Sequence, residues 1–142
     1  GRGMLSALLL EIDVFMPNER EAMGITGCHT PEEALEGLCK RMRPGALAVV
    51  KVGARGVIAG RAGASERWHV PAERVEPVDV TGAGDAFNAA FLHCFVRGLG
   101  VEECLKAGCC GGGHCVLHLG GCQAVKAWAA TLAAAHPSYF GT

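Results

Sequence analysis

Asp79-Val80-Thr81-Gly82-Ala83-Gly84-Asp85-Ala86-Phe87-Asn88-Ala89-Ala90-Phe91-Leu92 passes from a glycine-rich turn into an amphipathic helical pattern. Phe87, Phe91 and Phe95 recur every four residues on one face, with Cys94 beside them, and Gly98 stands where a helix would end after Arg97. Gly82 and Gly84 let backbone approach a ligand closely, and the first turn of a helix has N–H groups without intrahelical partners. Such a turn attracts anions, yet a carboxylate, Asp85, stands inside it. That combination makes chemical sense where a phosphate is held while an adjacent hydroxyl loses its proton. The bland alternative is an Asp that merely complements the helix macrodipole.

Working outward, the 142 residues suit one compact domain, large enough to bury roughly 70% of its unfolded surface. Half of the residues are apolar and the formal net charge is −1, which favours neither disorder nor a generic nucleic-acid surface. No apolar run approaches the ~20 residues that span a bilayer. Met4 to Leu10 is apolar but short and is followed directly by Glu11, so a signal peptide is not expected. The eight cysteines include no Cys-x-x-Cys pair and mostly sit in apolar, helical context, which fits reduced thiols and a cytoplasmic protein. Cys110, His114 and His118 follow one another at helical spacing, and a zinc site can be drawn from them. Their spacing matches no common zinc module and Gly111-Gly112-Gly113 makes a poor rigid scaffold, so packing of small side chains is the preferred reading.

Along the chain, Met4 to Leu10 reads as the end of a helix and Ile12 to Phe15 as a short buried strand. Pro17-Asn18-Glu19-Arg20-Glu21-Ala22 opens a helical turn. Thr30-Pro31-Glu32-Glu33 predicts a helix with Thr30 as N-cap and Glu33 completing a capping box, ending before Pro44-Gly45. Ala46 to Val52 is a continuous apolar run of the kind found in central parallel strands. Gly53 to Gly56 turns the chain, Val57 to Ala59 returns as a strand, and Trp68 to Val78 is extended. Beyond the first motif, a helix is expected from Glu102 to about Gly111, another from Gln123 to Ala135, and a tail over 136–142. Strands alternating with helices predict an open α/β sheet, whose ligands sit beyond the carboxyl ends of strands.

Two further motifs fit that geometry. Asn18 and Glu21, three apart at a helix start, share a face, and both offer hard oxygen donors suited to Mg²⁺. Capping alone would also explain them. Lys51-Val52-Gly53-Ala54-Arg55-Gly56 ends a strand in a glycine turn that permits close backbone approach, although an ordinary β-turn has the same composition.

With Asp79 to Phe87, Asn18 to Glu21 and Lys51 to Gly56 in view, the chain resembles the PfkB/ribokinase family of carbohydrate kinases. The resemblance implies a ribokinase-like three-layer α/β/α fold with a mostly parallel central sheet. It implies Asp85 as general base for the acceptor hydroxyl, and the amides of Gly82, Ala83, Gly84 and Asp85 as the anion hole for the transferring phosphoryl group. Asn18 and Glu21 would serve the Mg²⁺ shell and the nucleotide phosphates, and the Lys51–Gly56 segment would lie along ATP. In relatives the residues matching Asp79 and Thr81 help bind a monovalent cation, usually potassium, with further carbonyls from the loop around His118 to Cys122. The expected reaction is ATP-dependent phosphoryl transfer to a hydroxyl of a small sugar or sugar-like substrate, without nucleic acid or membrane, and with a homodimer as the oligomer relatives form. Family chains are longer, so residues 1–142 are expected to be one partial domain, the C-terminal half, with the N-terminal half and lid missing. A nucleoside kinase of the same fold, and a non-catalytic nucleotide-binding or dimerisation remnant, stand as alternatives.

Overall fold

The computed structural model describes residues 2–117, 119 and 120. The chain divides into two compact units after Pro71.

In the first unit, α1 (Arg2–Leu9) leads to β1 (Val14–Phe15), α2 (Glu19–Thr26), α3 (Pro31–Arg41), β2 (Leu47–Lys51), a 3₁₀ turn (Gly53–Arg55), β3 (Val57–Arg61) and β4 (Arg67–Val70). The strands form one sheet in the order β1-β2-β3-β4. β1 pairs with β2 in parallel, while β2–β3 and β3–β4 are antiparallel. The expected mostly parallel sheet is therefore corrected among the described residues. The reason is connection length: a parallel pair needs a crossover of a dozen or more residues, and β2 and β3 are joined only by the short Gly53–Gly56 turn. β1 and β2, separated by α2 and α3, have that crossover and run parallel.

β2 explains its own apolar run. Leu47, Ala48, Val49 and Val50 are all buried, so both faces of the strand are covered. Ala48, Val50 and Val52 share a core with Ala22 of α2 and with Ala34, Leu35, Leu38 and Cys39 of α3. The helix ends are satisfied locally. Thr30 Oγ1 accepts the Glu33 N–H at 3.2 Å, but Glu33 Oε2 takes the N–H of His29, not of Thr30, so the expected reciprocal box is displaced one residue upstream. Gly27, left-handed at φ 76°, closes α2, and Arg41 donates to the carbonyls of Ile25 and Thr26 at its last turn.

The second unit is built on α4 (Ala83–Phe95) and α5 (Val101–Cys115). Phe87 and Phe91 are buried, and Phe87, Phe91 and Phe95 stack in sequence with centroids 6.3 and 5.6 Å apart. Gly98 adopts φ 78° just beyond the helix, as its position predicts. α5 continues through Gly111-Gly112-Gly113 to Cys115, several residues past the expected end. Each interior glycine costs about 1 kcal/mol of helix propensity, and at Gly108 and Gly112 close packing offsets it. A Cβ on Gly108 would lie 2.6–2.9 Å from three ring atoms of Phe87, and one on Gly112 would lie 3.2 Å from the Ala83 carbonyl oxygen. Only glycine permits α5 to approach α4 so closely. No helix among the described residues is long and apolar enough to cross a membrane. The expected helix over 123–135, the tail over 136–142 and residues His118 and Cys122 lie outside the described residues.

Candidate active site

In the first unit, Asn18 and Lys51 form a parallel bridge, and the Lys51 N–H donates to the Pro17 carbonyl at 3.0 Å. The start of α2 thus lies beside the carboxyl end of β2. Because β1 and β2 run parallel, both of their carboxyl ends face the same edge, where open α/β sheets bind ligands. Asn18 is the N-cap of α2 and forms a full capping box: its Oδ1 accepts the Glu21 N–H at 2.8 Å, and Glu21 Oε2 accepts the Asn18 N–H at 2.9 Å. Both side chains are solvent-exposed. Two hard-oxygen groups that the sequence places at one helix start are therefore held together by each other.

The turn after β2 is closed by backbone bonds from Val52 N–H to Gly56 O and from Gly56 N–H to Gly53 O, at 2.9 and 3.0 Å. Gly56 has φ 95° and ψ −124°, a conformation open in practice only to glycine. Gly53, Ala54 and Arg55 are exposed, whereas the Val52 side chain belongs to the core. Val52 can therefore meet a nucleotide only through its backbone. The Arg55 guanidinium spans two carboxylates, Glu19 at 3.1 Å and Glu32 at 3.3 Å. It ties the turn to the first turns of α2 and α3. The sequence reading missed Glu19 and Glu32; the only signal was the acids at two helix starts, Glu19 and Glu21 in α2 and Glu32 and Glu33 in α3.

In the second unit, Gly82 takes φ 81° and ψ −2° and delivers the chain into α4. The first intrahelical bond of α4 runs from Ala86 N–H to Gly82 O at 2.9 Å, so the N–H groups of Gly84 and Asp85 precede the ladder; that of Ala83 bonds Val80 O at 3.3 Å. The Asp85 side chain is exposed in that first turn. An anion and a proton acceptor can be served from one turn of backbone.

Asp79 is more tightly engaged. Its Oδ1 accepts the Thr81 N–H at 2.9 Å and its Oδ2 accepts the Gly120 N–H at 3.3 Å. Thr81, through its N–H and side chain, and then the Gly120 N–H hold the Asp79 carboxyl below its ordinary value. The Thr81 carbonyl receives the Cys115 S–H at 3.6 Å, and the N–H groups of Val78 and Asp79 both donate to Val116 O. The end of α5 thereby fixes the segment entering the Gly82 turn. Burial raises the thiols of Cys104 and Cys109 to about 11, which leaves them protonated at neutral pH. No cluster of three or more His, Cys, Asp or Glu side chains arranged to hold a metal occurs among the described residues.

The family profile for pfkB family carbohydrate kinases matches residues 2–128. Cytidine kinase of Thermococcus kodakarensis is 35% identical over 110 residues, covering 75% of this chain and 38% of that protein. The structure of Arabidopsis thaliana ribokinase complexed with ribose and ATP is similar with a TM-score of 0.75 and 30% identity, covering 84% of this chain and 39% of that one. Thermotoga maritima ribokinase superposes with a TM-score of 0.76 at 28% identity, over 88% of this chain and 44% of its own. The chain thus spans less than half the length of each of these relatives. The expectation of a C-terminal half with the N-terminal half and lid missing is nevertheless overturned by the family match, which runs through residues 2–128. The residues upstream of the Gly82 turn build a helix-backed four-stranded sheet of their own. A match along nearly the entire sequence, a ribokinase-like fold and the three motifs agree: the chain belongs to the pfkB family of carbohydrate kinases.

Proposed function

We propose that this chain carries out ATP-dependent phosphoryl transfer to a hydroxyl of a sugar or sugar-like substrate. The observation that carries the reading is the Gly82 turn, which places an exposed carboxylate, Asp85, among first-turn N–H groups that precede the α4 ladder. Asp85 takes the proton of the acceptor hydroxyl as that oxygen bonds to the γ-phosphorus and the bond to the β,γ-bridging oxygen breaks. The amides of Gly82, Gly84 and Asp85 face the charge on the equatorial oxygens, joined by that of Ala83 if it leaves the Val80 carbonyl. The first unit supplies nucleotide contacts through the Lys51–Gly56 turn.

The donor set fits Mg²⁺: Glu21 Oε2 is taken by the Asn18 N–H, which leaves Oε1 as a hard oxygen donor beside the Asn18 amide. When bound, the ion neutralises phosphate charge. A monovalent cation, potassium by family analogy, is assigned to Asp79 and the Thr81 carbonyl, whose oxygens each keep a further lone pair. Cysteines largely in apolar surroundings and a reaction that consumes ATP favour a cytoplasmic location. A nucleoside acceptor is the second reading, favoured by the similarity to a cytidine kinase.

Calorimetric titration of the chain with ATP, with and without Mg²⁺, tests the nucleotide part. Saturable, magnesium-dependent binding that weakens in an Asn18→Ala, Glu21→Ala double variant is expected; absence of binding by the folded chain would refute the reading. Screening sugars against nucleosides for ADP release then separates the two acceptor classes.

A further inference from the structure

We propose that Asn18 serves the metal site as a positioning residue: it caps α2 and so orients the Glu21 carboxylate, and the carboxylate alone is the donor. This deepens, and rests on, the reading of Glu21 as a holder of the Mg²⁺ shell. The two side chains are bound reciprocally. Asn18 Oδ1 caps the helix by accepting the Glu21 N–H at 2.8 Å, and the Asn18 backbone N–H holds Glu21 Oε2 at 2.9 Å. The Asn18 backbone, at φ −79° and ψ 168°, has the extended conformation of an N-cap. It is itself anchored, because Asn18 bridges to Lys51 at the end of β2. The chain of support runs from a strand buried over residues 47–50, through a backbone bridge at Lys51, to a cap, and from the cap to one carboxylate rotamer. Glu21 is thereby presented with Oε2 satisfied and Oε1 directed by the same hydrogen bond.

Capping and ligation ask for different chemistry at position 18, which makes them separable. Ser and Thr cap a helix well but have no amide; Gln keeps the amide and caps poorly because its oxygen lies one methylene too far out. The experiment measures the Mg²⁺ concentration that half-saturates magnesium-dependent ATP binding by calorimetry, in the full chain, for Asn18→Ser, Asn18→Thr, Asn18→Gln, Asn18→Ala and Glu21→Gln. Circular dichroism first verifies that each is folded. The expected result is a half-saturation within about threefold of the parent for Ser and Thr, and weakened about tenfold or more for Gln, Ala and Glu21→Gln. Should Ala fail to fold, the contrast of Ser and Thr with Gln decides alone. Retention by Gln with loss in Ser and Thr overturns the positioning role and makes the Asn18 amide the donor, while the Mg²⁺ assignment stands. An unchanged half-saturation in Glu21→Gln overturns the Mg²⁺ assignment itself, and the positioning role with it.

Discussion

The two units hold their functional positions by different physical means. In the first, side chains hold one another: Asn18 with Glu21, and Arg55 with Glu19 and Glu32, all exposed and all seated on the ends of a buried sheet. In the second, the backbone does the holding. Gly82 sets the turn by its left-handed conformation, Val116 O receives two N–H groups from the segment before it, and glycines in α5 admit α4 to close contact. Side-chain bonds in water are individually weak and tolerate substitution, whereas a close-packed backbone has no slack. The first unit is therefore expected to respond to charge and salt, and the second to volume.

The largest effect expected is chemical. Asp85→Asn keeps the turn and removes the base, so turnover should fall by about 10²–10⁴ with little change in ATP affinity by calorimetry. A variant with near-parental turnover would remove Asp85 from the mechanism and leave the second unit with only an anion-binding turn. Next comes Gly108→Ala. Its Cβ would meet the Phe87 ring at 2.6–2.9 Å, and overpacking of this kind costs about 1–3 kcal/mol, read as a lowered midpoint of thermal or denaturant unfolding. Adding Phe87→Leu should recover part of that loss; strict additivity of the two changes would break the argument that this contact is what the glycine serves.

A smaller effect is expected at Arg55. Arg55→Met removes two exposed ion pairs, each worth at most about 1 kcal/mol, and should weaken ATP binding severalfold at low salt. The difference from the parent should shrink at about 1 M salt, where exposed pairs are screened. A salt-independent difference would mean that Arg55 acts through direct contact with the nucleotide or through packing. The smallest effect concerns pH. The Asp79 carboxyl is held below its ordinary value by Thr81 and Gly120, so its contribution to stability is complete above the unfolded value. That contribution is lost as pH falls through the lower, folded value. Asp79→Asn should flatten the acid limb of denaturant midpoint against pH, and an unchanged limb would show that the Thr81 and Gly120 bonds stabilise nothing measurable.

Much of this was legible in the residues. Capping chemistry is local, so Asn18 and Thr30 announce their helices, although only the folded chain shows Glu33 turning to His29 instead of Thr30. The three phenylalanines mark the buried face of α4 because helical period is a one-dimensional signal. Arg55 was readable as a cation in a glycine turn. Its pairing with Glu19 and Glu32 was not, since those residues lie 36 and 23 positions away and meet it only when α2, α3 and the turn are assembled.

What the sequence by itself determined is the set of conformations that a few residues force within a turn of themselves. Glycines at 82 and 98 permit the left-handed backbone they adopt, Asn18 and Thr30 satisfy helix N–H groups, and the Gly53–Gly56 segment is too short to be anything but a tight reversal. The tertiary structure decided what depends on two elements meeting. It paired β1 with β2 in parallel across α2 and α3, because strands far apart in the sequence meet only in the folded chain. It also carried α5 through Gly111-Gly112-Gly113, because packing of α5 on α4 at Gly108 and Gly112 outweighs an intrinsic propensity that any local reading must take at face value.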